Sequence, residues 1–164
     1  MDRRTLLCST VAVGLSGCLS SLTGEDTREF RPAAETFNRG VDAFGRADST
    51  RSTARDRYGA ERWDVAAERY AAARDGFDAA AREFDAAREA TSGSCPALHD
   101  RSQRQYRRCL ALVEACDYWA DASTARLASE DASTAESRAT VWDGRAAEYP
   151  TSSRLDPDDF SCRA

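Results

Sequence analysis

Apolar residues recur along this chain at alternating intervals of three and four, the spacing that gathers them on one face of an α-helix. Four segments carry the pattern. Phe30, Ala34, Phe37, Val41 and Phe44 form the first, and the second runs Trp63, Ala66, Tyr70, Ala73, Phe77, Ala80, Phe84, Ala87. The third is Tyr106, Cys109, Val113, Cys116, Ala120 and, past a polar Ser123, Leu127; the fourth is Ala132, Ala135, Ala139, Trp142, Ala146 and Tyr149. Large residues alternate with alanine, which predicts aromatics of one helix lying over alanines of another. Turn chemistry marks the breaks: Asp48 to Thr53, then Thr91 to Pro96, then Ser129 to Ser133, with Pro150 stopping the last segment. Short connections make neighbours antiparallel, so the pattern predicts an all-α, up-down four-helix bundle over residues 29–149. An irregular acidic tail, residues 150–164, follows it.

The second segment, residues 62–87, resembles a single tetratricopeptide unit: Trp63 and Tyr70 on one helix, Asp75-Gly76 as a turn, then Phe77, Ala80, Phe84 and Ala87. The resemblance implies a helical hairpin and a peptide-binding groove. The family's turn order is Gly-Asp-aromatic, whereas here it is Asp-Gly-aromatic. No second copy follows at about 34 residues, although repeat folds need about three units. A pattern unbroken through Gly76 favours one continuous helix.

Composition narrows the function classes. All 23 basic residues are arginine, against 28 acids, for a net charge of −5 and a pI near 5.0. The arginines alternate with acids instead of forming a stripe, which argues against nucleic-acid binding. Alanine, at 31 residues, supplies much of the apolar count, so the core rests on small side chains with a few large anchors. This acidic, lysine-free, alanine-rich composition resembles proteins of halophilic archaea, where charge serves hydration more than steering because molar salt screens within about 3 Å.

The N-terminus reads as an address. A charged stretch, Asp2 to Arg4, precedes about 13 mostly apolar or small residues, too few to span a bilayer core of about 20 residues. Arg3-Arg4-Thr5-Leu6-Leu7 fits the twin-arginine export pattern. Leu15-Ser16-Gly17-Cys18 resembles a lipobox, in which the Cys18 thiol takes a lipid and the peptide bond before it is cut. Together they resemble the leader of an exported haloarchaeal lipoprotein. The implied organisation is a cleaved signal over 1–17, a lipid-anchored tether over 18–28, and a domain held at the outer face of the cell membrane.

Cys95, Cys109, Cys116 and Cys162 then remain in an exported domain, an even number that reads as two disulfides. Cys109 and Cys116, seven apart on one helix, are about 10.5 Å apart along its axis, beyond the roughly 7 Å a bridge spans. If both bridges form, Cys95 takes one of them and Cys162 the other. Cys95–Cys109 is favoured, with Cys116–Cys162 strapping the tail. That pairing requires the loop after Cys95 to extend to about Asp100, because a helix starting at Pro96 would put Cys95 about 20 Å from Cys109. A metal site from Cys95, His99 and further cysteines is the sharper alternative, since Cys-x3-His places two ligands on one side of a turn. Oxidation outside the cell disfavours it, and no metal or other cofactor is expected. His99 is expected in the loop.

Catalysis finds little material. One histidine offers no partner set for nucleophilic chemistry, no glycine-rich phosphate loop is present, and acid pairs such as Glu130-Asp131 and Asp158-Asp159 fit a solvated surface. The expectation is a non-catalytic structural or interaction module of the cell envelope, attached to the membrane through Cys18 and contacting an envelope protein. A helical ligand- or peptide-binding domain is the alternative. An open apolar groove between the Trp63–Phe84 face and the fourth helix would favour binding, and a filled bundle the structural role.

Overall fold

The computed structural model describes residues 25–157 and Cys162. It is an up-down bundle of α1 (Glu25–Gly59), α2 (Trp63–Ala90), α3 (Pro96–Leu127) and α4 (Ser133–Ala147). Helix α2 follows the predicted face closely: Ala66, Tyr70, Ala73, Phe77, Ala80, Phe84 and Ala87 are all buried, and the helix runs unbroken through Gly76. Residues 62–87 therefore form one helix and not the hairpin that a tetratricopeptide resemblance implies.

Helices α1 and α2 meet through paired rings and paired small residues. Phe37 meets Phe84 at 5.2 Å between ring centres, and Phe44 meets Phe77 edge-on at 5.3 Å. Between these rungs at Gly40, and just beyond the second at Gly76, the helices approach closely. A Cβ on Gly40 would lie 2.8 Å from the Phe84 ring, and one on Gly76 would lie 2.9 Å from the Ala47 Cβ. Aromatic-over-small packing thus holds at Gly40, but phenylalanines also pair with each other, which the expectation of aromatics over alanines did not include.

Two predicted boundaries move. The Asp48–Thr53 break is absent, and α1 continues to Gly59. Its hydroxyls are satisfied inside the helix: Thr50 Oγ1 donates to the Arg46 carbonyl (3.0 Å) and Thr53 Oγ1 to that of Ser49 (3.1 Å). Ala47 and Ala54 on the same stretch are buried, so tertiary packing offsets the weak helix propensity of the run. The chain turns instead at Glu61, which takes a left-handed φ of 58° while Arg62 N–H donates to the Arg57 carbonyl at 2.9 Å. Helix α3 ends in the same way at Ser129 (φ 59°), with Glu130 N–H on the Ala125 carbonyl at 2.8 Å. Both are helix-ending motifs that close a six-residue ring of backbone. At the other end, α1 starts at Glu25, inside the span expected to be tether.

The fourth corner of the bundle is shared. Helix α1 has 35 residues and α4 only 15, or about 52 Å against about 22 Å. Helix α4 lies on the C-terminal half of α3 through buried Ala139 and Ala146. The tail covers the remaining half, running back along α3 as extended chain. Gln105 Nε2 donates to the Pro150 carbonyl (2.7 Å), and Arg101 donates to that of Ser153 (3.1 Å). Buried Asn38 on α1 clamps Leu155 from both sides, donating to its carbonyl (2.8 Å) and accepting from its N–H (2.7 Å). Arg154 pairs with Asp42. The tail is irregular, as expected, yet it is integral to the fold.

Candidate functional site

Of the residues singled out in the sequence, Arg3, Arg4, Leu15, Ser16, Gly17 and Cys18 lie outside the described residues. The cysteines are corrected. The bridge is Cys95–Cys162, with Cα atoms 4.9 Å apart, while Cys109 and Cys116 are free and buried. Neither expected pairing, Cys95–Cys109 or Cys116–Cys162, occurs. Helix α3 begins at Pro96, directly after Cys95, so the long loop that would have carried Cys95 back to Cys109 does not exist. The tail, running along the N-terminal half of α3, delivers Cys162 to the N-terminal end of that helix. Cys109 and Cys116 instead fill the core as small apolar groups, and burial pushes both thiols up to about 12.

His99 lies in the first turn of α3, not in a loop, and its Nδ1 faces the Arg88 carbonyl at 3.0 Å. Among the described residues no group of three or more His, Cys, Asp or Glu side chains is placed to hold a metal ion.

The densest polar cluster sits where α4 crosses α1 and α3. Arg51, pointing inward from the run expected to be a loop, pairs with Asp143 of α4. Asp143 also accepts from Trp119 Nε1 at 3.1 Å, and Arg55 reaches it at 3.9 Å. One helical turn or two away, Glu136 accepts from the Tyr58 hydroxyl and from Arg126 at 2.7 Å. Those two donors hold its carboxyl below the usual range. Burial, and then donation to Glu136, push the Tyr58 phenol up. Tyr58 packs edge-on against Trp63 (4.9 Å) and Trp119 (5.2 Å), and Trp119 stacks on Tyr70 at 6.0 Å. The chemistry of this cluster is cohesion: each carboxylate is engaged by donors from another helix, and together they fasten a short helix to two long ones.

The open surface lies on the far side of α4. A groove of about 530 Å³ runs between α3 and α4, with Leu110, Val113, Trp142 and Tyr149 among its walls. Arg107 and Glu114 stand on its α3 side, Arg145 and Glu148 on its α4 side. The Arg145 guanidinium lies over the Trp142 ring at 4.2 Å. The exposed large apolar side chains of the described residues are Leu110 (42% exposed), Leu127 (58%) and Val141 (54%), all on these two helices. The sequence put Leu127, Trp142 and Tyr149 on core faces. Leu127 is exposed because α4 starts beyond it, and the two aromatics are half-buried because α4 covers α3 from one side. Leu110 and Val141 fell outside the apolar periodicity, and that departure was the available signal for a second, outward apolar face.

A shallower cleft of about 310 Å³ follows the α1–α2 seam, lined by Ala43, Ala47, Ala72, Gly76 and Ala79. Its small residues mark close helix approach, and its polar lining is Arg46 and Thr50, whose hydroxyl already donates to the Arg46 carbonyl. No protein-family model, curated protein or solved structure matches this chain.

Proposed function

We propose that this chain is an exported, lipid-anchored, non-catalytic module of the cell envelope that acts by contact. The observation that carries the reading is the Cys95–Cys162 bridge. Disulfides persist where the surroundings are oxidising and are rare where thiol pools keep cysteines reduced. A bridge fits a chain whose first 18 residues carry Arg3-Arg4 and Leu15-Ser16-Gly17-Cys18 in export order. Two acyl chains on a lipid at Cys18 would hold it stably, where a single chain would not. Helix α1 begins at Glu25, seven residues after Cys18, so the bundle would stand close to the membrane surface. The filled interior supports a structural or interaction role: Phe37, Tyr70, Phe77 and Phe84 on the α1–α2 contact are each at most 1% exposed.

Membrane fractionation tests the location. Cys18→Ser is expected to move the protein into the medium or to leave the precursor uncut; unchanged membrane attachment of a processed chain would sink the lipid anchor. Replacing Arg3 and Arg4 with lysine is expected to stop export by the twin-arginine route. A ligand- or peptide-binding domain is the second reading, favoured by the groove between α3 and α4. A ligand seated there would shield Trp142 from a soluble quencher, so an unchanged quenching profile across candidate peptides would count against it.

A further inference from the structure

The open face of α3 and α4 carries two features that the monomer does not use. Its apolar side chains, Leu110 and Val141, face solvent. Its charges are the second feature. Ion pairs tie helices together across much of the surface, yet among the described residues Arg107, Glu114, Arg145 and Glu148 enter none. On α3 the charges flanking Leu110 are ordered: Arg104 and Arg107 precede it, and Glu114 and Asp117 follow it, with the acids Asp100 and Asp121 farther out on either side. Arg107 and Glu114 are seven residues apart, so both point from the same face, about 10.5 Å apart along the axis.

A surface ordered in this way is complementary to itself turned end for end. A two-fold axis passing between Leu110 and Ala111 sets residue 107 of one helix opposite residue 114 of the other, and does so twice, because an isologous contact repeats every pair. The same axis brings the two Leu110 side chains together over the grooves, beside Trp142 of each copy. Apolar contact at the centre with charges at the rim is the usual anatomy of a protein interface.

We infer that the occupant of this face is a second copy of the same chain, packed with its α3 antiparallel to the first across an axis near Leu110. The inference rests on the reading of the chain as an interaction module and names the partner. It is independent of location: Cys18→Ser fractionation tests the anchor, whereas the experiment below tests the pairing, so either can fail alone.

The test is sedimentation of the purified full chain in mild detergent, at low and at molar salt, for the native sequence, Arg107→Glu, Glu114→Arg and the double exchange. The native chain is expected to show a concentration-dependent dimer. Each single reversal sets like charges opposite each other at two symmetric places and is expected to weaken the dimer about tenfold at low salt, with the loss shrinking as salt rises. The double exchange restores opposite charges and is expected to recover the native affinity. Leu110→Asp is expected to leave a folded monomer by circular dichroism. A native chain monomeric at every concentration and salt overturns the inference and leaves the face to a different partner. A dimer that the double exchange fails to restore overturns it as well, because that pairing would use another surface.

Discussion

Four of the five glycines in the helices provide a matched test of how α1 and α2 pack. Glycine inside a helix costs about 1 kcal/mol relative to alanine, so on propensity alone each Gly→Ala change should stabilise the protein. The surroundings divide them. At Gly45 and Gly144 an added methyl meets nothing within 4 Å. At Gly40 it would sit 2.8 Å from Phe84 Cε1, and at Gly76 2.9 Å from the Ala47 Cβ with the Ala47 Cα 3.4 Å away. Carbon atoms pack best at roughly 3.5–4.0 Å, so something must move by about 0.7 Å or more. Phe84 has nowhere to go, being 1% exposed and held against Phe37. At Gly76 the obstacle includes backbone, so the helices themselves must part.

Overpacking of this kind costs about 1–3 kcal/mol, which exceeds the propensity gain. Gly40→Ala and Gly76→Ala are therefore expected to lose about 1 kcal/mol net, and Gly45→Ala and Gly144→Ala to gain about 0.5–1 kcal/mol. Because 1 kcal/mol moves the midpoint of a protein this size by about 2–4 °C, the two pairs should separate by several degrees in thermal unfolding followed by circular dichroism. If all four variants were stabilised alike, the close approach of α1 and α2 at Gly40 and Gly76 would be refuted.

The cysteines give the remaining predictions. Cys162→Ser opens a loop that spans a sequence separation of 67, for which chain entropy predicts a loss of about 4.4 kcal/mol; a urea midpoint unchanged from the oxidised native chain would show that the bridge constrains nothing. With thiols pushed up to about 12, Cys109 and Cys116 are expected to resist iodoacetamide in the folded protein and to label fully once it is denatured, as read by peptide mapping. The same shift sets the pH dependence: the folded state keeps both protons while the unfolded chain releases them above about pH 8.5. Stability should hold below that pH and fall between it and about 12, by about 1.4 kcal/mol per pH unit for each thiol. Cys109→Ala with Cys116→Ala is expected to flatten that slope, leaving the part due to Tyr70, whose phenol burial raises to about 12.

What the sequence revealed, and what it hid, follows from how each element gains its stability. Helix α2 was legible nearly residue by residue because its stability comes from one uninterrupted apolar stripe, the quantity periodicity measures. The second half of α1 was hidden because its inward positions do not look apolar. The spacing continues through Phe44, Ala47, Arg51, Ala54 and Tyr58, but the middle position is an arginine whose partner, Asp143, lies 92 residues away. Charge pairing across such a distance leaves no local trace, and the flanking serines and threonines read as a break.

The cysteine pairing failed for a different reason. The geometric rule used was sound: Cys109 and Cys116 do not pair, and a helix from Pro96 does put Cys95 out of reach of Cys109. The error was the premise that four cysteines in an exported domain must all be oxidised. Once two of them are allowed to serve as core residues, that same helix geometry excludes Cys95–Cys109 and Cys95–Cys116, and Cys95–Cys162 is the bridge left to Cys95. The tail then has to travel the N-terminal half of α3 to reach it. That path is the stretch α4 is too short to cover, so the disulfide, the short fourth helix and the buried Asn38 and Gln105 that grip the tail are consequences of one arrangement. The groove belongs to it too: with the core closed on that side by tail and bridge, the outer edge between α3 and α4 is left with apolar side chains and opposed charges that no described element covers.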